Sequence, residues 1–144
     1  RTLAEVIASE RVNQEIKTTE QLIEILRKMA KKGKENRYFA QVFQALRIEV
    51  NDELKALEDM LEQSADLLKP RGRLVVMSYH SLEDRLVKNF MLRGHVSGKV
   101  EKDFYGNVIK PLEAKTRKPV TASEKEIIEN NRARSAKLRI AEKL

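Results

Sequence analysis

Apolar residues recur at threes and fours through the first half of the chain. Leu3, Val6 and Ile7 open with helical spacing, and Leu22, Ile25, Leu26 and Met29 form a second stripe. Thr18 and Gln21 precede that stripe as a T-x-x-Q capping box, which predicts a helix over TTEQLIEILRKMAKK stopped by Gly33. From Asn36, Phe39, Phe43, Leu46, Val50, Leu54, Leu57, Leu61, Ala65 and Leu68 continue the stepping to Pro70, as one long helix or two end to end. Asn51 or Asp52 is the expected break, because Asn and Asp favour caps over helix interiors.

After Pro70 and Gly72 the period changes. Arg73 to Ser78 is a short, β-branched, nearly all-apolar run, which predicts a strand buried on both faces of a parallel sheet. Ser81 and Asp84 read as an S-x-x-D capping box opening another helix, with Leu82, Leu86, Val87 and Phe90 as its buried stripe, fading near Gly94. Gly94, Gly98, Gly106-Asn107 and Pro111 mark a long irregular link over the surface. Leu112 to Val120 suggests a strand, and T-A-S-E from Thr121 caps a short helix through Ile127 and Ile128. Ala136, Leu138 and Ile140 alternate with Lys137, Arg139 and Ala141, as in a half-buried last strand. Helix, turn, strand, helix is an α/β unit.

Composition narrows the picture. With 144 residues, 41% hydrophobic and 35% charged, the chain can bury a core and holds no long disordered tract. No apolar stretch approaches the roughly 18–20 residues that span a bilayer, so no membrane partner and a cytoplasmic location are expected. Without cysteine there are no disulfides, thiolate nucleophiles or Cys-based zinc sites, and two isolated histidines argue against a metal cluster. A formal charge of +7 favours polyanions such as RNA, although it also serves solubility. The sequence starts at Arg1, already inside a helical pattern, and is expected to be a fragment of a longer protein.

The densest chemistry lies in SYHSLEDR. In open α/β sheets the ligand crevice lies beyond the carboxyl ends of the strands, so a residue between a strand and its next helix faces it. His80 sits at that tip and no local rule requires it, whereas Ser81 and Asp84 are explained as capping residues. Arg132 and Arg134, before the last strand, could grip phosphates or simply be solvated turn charges. The block Arg27, Lys28, Lys31, Lys32, Lys34 and Arg37 is an RNA-facing surface or a solvated helix end. Arg47 and Asn51 are one helical turn apart and share a face, where they could act on a base or phosphate or pair with Glu49 or Asp52. Spacing alone reaches half of an α/β fold with a basic helical part.

FQALRIEVNDEL, LLKPRGRLVVMSYHSLEDRLVKNFM and ENNRARSAKLRIAEKL, in that order, resemble the bacterial 16S rRNA (cytosine-N4)-methyltransferases, the MraW-like family. The resemblance runs over nearly the whole chain and is weakest between Gly94 and Pro111. It departs where the family usually reads K-P-G-G-R and this chain has Lys69-Pro70-Arg71-Gly72-Arg73, and where Asn131 replaces a proline before Arg132. It implies the C-terminal part of a class I, Rossmann-like, S-adenosylmethionine-dependent methyltransferase fold. Residues 1–50 would be most of an inserted all-helical substrate-recognition domain, and residues 51–144 the methyltransferase part. The glycine-rich cofactor loop is missing, so the fragment alone is expected to be inactive and to self-associate along its uncovered strand. The implied catalytic residues are His80, Glu83 and Asp84. The first two would contact a flipped cytosine or relay its proton, and Asp84 would hold the loop. Arg47, Asn51, Arg132 and Arg134 would bind 16S rRNA in the small ribosomal subunit. A noncatalytic RNA-binding module, or a helical protein-interaction piece built on the Asn36 to Leu68 stripe, is the competing class.

Overall fold

The computed structural model describes residues 2–144. They form two compact units, one ending at Asn51 and the other running from Asp52 to Leu144.

The first unit is helical. α1 (Leu3–Asn13) starts with a capping box in which Thr2 Oγ1 accepts from the Glu5 amide at 3.3 Å and Glu5 accepts from the Thr2 amide at 2.9 Å. α2 (Thr19–Arg27) carries the predicted box: Thr18 Oγ1 accepts from the Gln21 amide, and Gln21 Oε1 accepts from the Thr18 amide. This helix ends at Arg27, earlier than the sequence suggests. The amides of Met29 and Ala30 both turn back to the Leu26 carbonyl, and Gly33 then takes a left-handed conformation at φ 78°. Ile25 and Leu26 are buried, as is Val42 of α3 (Glu35–Asn51).

The helical stripe breaks where expected. Asp52 stands at φ 53° between α3 and α4 (Glu53–Leu67), yet its side chain makes no capping bond, so the break is a left-handed residue and not a side-chain cap. The second unit continues with β1 (Arg73–Ser78), α5 (Ser81–Arg93), β2 (Leu112–Ala114), β3 (Val120–Thr121), α6 (Glu124–Glu129), a 3₁₀ turn (Asn131–Ser135) and β4 (Lys137–Lys143). The expected strand from Leu112 to Val120 is thus two short pieces. Every pairing is antiparallel, in the order β1-β4-β2, with β3 also on β4.

Two expectations about burial in this sheet fail. β1 is not buried on both faces, and among the described residues it pairs only with antiparallel β4. Leu74 and Val76 face the core of Leu61, Ala65, Val87, Phe90, Met91, Val96, Leu112 and Ala141, whereas Val75 and Met77 are 53% and 51% exposed. α4 and α5 cover a single face of the sheet. An all-apolar strand therefore shows two hydrophobic faces of which this chain covers one. β4 inverts the expected alternation for the same reason: the register pairs Leu138 with Met77 and Ile140 with Val75 on the open face, while Arg139 and Ala141 point into the core.

The link after α5 is more ordered than its composition suggests. Lys102 bridges Val108, and the Asp103 carboxylate accepts from the amides of Tyr105 and Asn107 at 2.9 and 2.8 Å and from the Asn107 side chain at 2.9 Å. These bonds hold the Asp103 carboxyl below its ordinary range, the Asn107 side-chain bond foremost.

Candidate functional site

The chain leaves β1 at its carboxyl end and enters α5 within two residues. Ser78 is buried and its hydroxyl donates to the Lys137 carbonyl at 3.4 Å, fixing the end of β1 to the start of β4. The helix cap that follows is one residue earlier than the sequence suggests. His80, not Ser81, is the N-cap residue, and Glu83, not Asp84, completes the box. His80 Nδ1 accepts from the Glu83 amide at 3.4 Å, and Glu83 Oε2 accepts from the amides of Tyr79 and His80 at 2.9 and 3.3 Å. An imidazole nitrogen here does what a serine oxygen usually does.

That geometry gives His80 a local role. With Nδ1 accepting, the neutral ring carries its proton on Nε2. Nε2 lies 3.0 Å from Glu83 Oε1 but is misaligned for a hydrogen bond, and it is buried. Both ring nitrogens are therefore turned into the protein.

Asp84 lies one residue further along, freed from the cap. It accepts from Arg139 Nε at 2.7 Å and Nη2 at 3.3 Å, and from Lys137 Nζ at 3.2 Å. Burial alone would raise its pKa, but the bonds from Arg139 and then Lys137, with their charges, outweigh it and hold the carboxyl below its ordinary range. This bidentate pair ties α5 to β4.

Beside the corner, on the open sheet face, is a cavity of about 640 Å³. Met77, Val120, Leu138, Ala133 and Ala136 give it an apolar lining, and Tyr79, Thr121, Glu126, Asn130 and Arg132 bring polar groups to it. Asn130 Oδ1 accepts from the Arg132 amide at 3.2 Å, which shapes the 3₁₀ turn. Of the residues singled out from sequence, Arg132 lines the cavity and Arg134 shares its turn without lining it. His80, Glu83 and Asp84 stand next to it as the structure of the corner. Arg47 and Asn51 lie one turn apart on α3, in the other unit, and neither is without a partner. Sequence reasoning missed Tyr79, Glu126 and Asn130. Tyr79 was within reach, since a period of two carries the face of Val75 and Met77 to it.

An antiparallel sheet covered by helices on one face, with a mixed apolar and polar cavity at the strand exit, defines a mixed helix-and-sheet protein with a concave site at a sheet edge. The model of the MraW methylase family matches residues 1–144, and the chain belongs to that family. It is 56% identical over 143 residues to Ribosomal RNA small subunit methyltransferase H of Cytophaga hutchinsonii, 50% identical over 144 residues to the protein of that name from Parabacteroides distasonis, and 52% over 142 residues to that from Christiangramia forsetii. These alignments take in 99%, 100% and 99% of this chain and 48%, 47% and 47% of the relatives. The chain thus spans about half the length of the curated relatives it matches. No helix among the described residues is long and apolar enough to cross a membrane.

Proposed function

We propose that this chain supplies the acceptor side of an S-adenosylmethionine-dependent methyltransferase that modifies N4 of one cytidine in 16S rRNA of the small ribosomal subunit, in the cytoplasm. The observation that carries the reading is family membership along the whole chain, with relatives named as small-subunit rRNA methyltransferases. On this reading residues 1–50 belong to an inserted helical substrate-recognition domain, and residues 51–144 to the C-terminal part of a Rossmann-like domain within a longer polypeptide.

The described residues do not fit the cofactor. Neither strand-to-helix turn, Tyr79-His80 or Ala122-Ser123, contains a glycine that would let a nucleoside approach the backbone. Glu83, the acid at the first turn, is spent on that turn's own amides. The cofactor's cradle therefore falls to the rest of the polypeptide, and this chain alone is inactive.

What these residues do is hold the acceptor. The lone pair of a cytosine N4 is delocalised into its ring, so catalysis depends on fixing the base and offering acceptors as the nitrogen becomes tetrahedral. A base taken out of its RNA context needs an apolar slot with a few polar groups. The cavity supplies Met77, Val120 and Leu138 as walls, Tyr79 as a stacking ring, and Glu126 and Asn130 as acceptors for the amine. Arg132 and Arg134 take the neighbouring phosphates, and Arg47 and Asn51 contact RNA from the helical unit. His80 and Glu83 position Tyr79 through its backbone, and Asp84 anchors the helix they cap.

The test is nucleoside mass spectrometry of small subunits treated with the full-length protein and S-adenosylmethionine. N4-methylcytidine is the expected product, and its absence under conditions where the protein is folded would overturn the proposal. His80→Asn, which keeps a capping acceptor, is expected to retain methylation far better than His80→Ala. Equal loss in both would return the imidazole to the chemistry.

A further inference from the structure

The helical unit holds a second cavity, of about 360 Å³, which the reading above does not use. It is lined by Met29 and Lys31 from the turn after α2, by Lys34, and by Arg37, Tyr38 and Gln41 of α3. Its size falls within the roughly 300–1,000 Å³ of small-molecule sites.

Three features separate it from a solvated charge run. First, the charge is uncompensated. Lys28 of the same block pairs with Glu10 at 2.8 Å, but among the described residues Lys31, Lys34 and Arg37 have no carboxylate partner. The acid of the same turn, Glu35, has Oε1 engaged by the Gly33 amide at 3.0 Å. Second, the backbone fixes where the cations stand. The Lys34 amide donates to the Lys31 carbonyl at 2.9 Å and the Tyr38 amide to the Lys34 carbonyl at 3.1 Å, so Lys31, Lys34 and Tyr38 follow one chain of turns through left-handed Gly33. Third, an aromatic ring and a thioether line the same cavity as the cations. Tyr38 is half-buried, and its ring tilts 55° to that of Phe39 with centroids 6.5 Å apart.

Cations alone would suit any anion. Cations that share a cavity lining with an aromatic ring, a thioether and the Gln41 amide match a phosphate joined to a planar base. We infer that this cavity is a nucleotide subsite for unpaired RNA: Lys31, Lys34 and Arg37 take the phosphates while one base stacks on Tyr38. The inference rests on the rRNA reading and adds to it a single-stranded contact in the helical unit. An acidic peptide would use the charges but would gain little from the ring.

The full-length protein is titrated with a short fluorescein-labelled single-stranded RNA and, separately, with duplex RNA and a polyaspartate peptide, across a salt series. Removing three phosphate contacts by Lys31→Ala, Lys34→Ala and Arg37→Ala together is expected to lower the single-strand salt slope by about 2. Tyr38→Ala is expected to weaken single-strand binding roughly 5- to 150-fold, the range for loss of one stacked base, and Tyr38→Phe to restore it. Photocrosslinking of a thiouridine-substituted strand should label Tyr38. An unchanged salt slope in the triple variant, Tyr38→Ala binding as Tyr38→Phe does, or polyaspartate competing as well as RNA would each overturn the inference. Subunit methylation by the wild-type protein is scored in parallel. Its absence with intact RNA binding counts against the enzyme reading, and its presence with unaltered variants counts against the subsite.

Discussion

Replacing Asp84 by asparagine removes the charge that neutralises Arg139, a residue only 6% exposed in the core between α5 and β4. The amide keeps the shape and can still accept one bond, but the guanidinium is left as a buried, uncompensated cation. Breaking such a pair by removing one partner costs about 3–5 kcal/mol. Lys137, whose side chain is 40% exposed, can turn to water and adds little. Urea unfolding followed by circular dichroism checks the figure: with a slope of about 2 kcal/mol/M, the midpoint should fall by roughly 2 M. The double variant Asp84→Leu with Arg139→Met removes both charges and should recover most of the loss, since buried pairs exchange for apolar groups at little cost. Acid titration adds a sign. Because the folded-state pKa of Asp84 is depressed, its contribution is complete above the ordinary carboxylate value and disappears as pH falls through the lower folded value. That acid-limb slope should be absent from the asparagine variant. A midpoint shift under about 0.5 M for Asp84→Asn, or a double variant no better than the single one, would refute the reasoning.

Other outcomes follow from backbone and surface. Gly94 caps α5 at φ 82°, and a Cβ there would come within 2.6 Å of the Ile109 carbonyl oxygen and 2.9 Å of Lys110 Cα. Gly94→Ala should therefore cost about 2–5 kcal/mol in the same unfolding assay, whereas Gly33→Ala, equally left-handed but in open space, should cost only about 1–2 kcal/mol. Asp103→Ala should abolish hydrogen-exchange protection at the Tyr105 and Asn107 amides, and acid should do so in the wild type only below the ordinary carboxylate range. The 144-residue chain should self-associate through the open face and free edge of β1 in size-exclusion chromatography with light scattering. Val75→Lys with Met77→Lys should weaken that association, and a strictly monomeric wild type would contradict it.

Helices were the legible part of this chain, because their apolar period, their T-x-x-Q cap and the Asn51-Asp52 break are all local signals. The sheet was not. Val75 and Met77 look buried from sequence because hydrophobicity records what a strand can cover, and only the arrangement of α4 and α5 tells which face is covered here. The corner failed by one residue: Ser81 and Asp84 satisfy the capping pattern in letters, but His80 and Glu83 satisfy it in space and release Asp84 to reach Arg139, 55 residues away. The cavity drew on Glu126 and Asn130, which spacing did not single out, since sequence gave no hint that the 3₁₀ turn would fold beside β1.

β4 is the only strand with more than one neighbour: β1, β2 and β3 each bond to it and, among the described residues, to no other strand. No two of the first three can zip up as a hairpin beforehand. β2 and β3 reach β4 across short connections, but β1 can join it only by closing a loop of more than fifty residues, so docking of β1 is the intrinsically slow step in assembling the second unit. A single proline at Ala141, which stands opposite Leu74 on one side and Ala114 on the other, would take a backbone donor out of the strand on which every other strand depends.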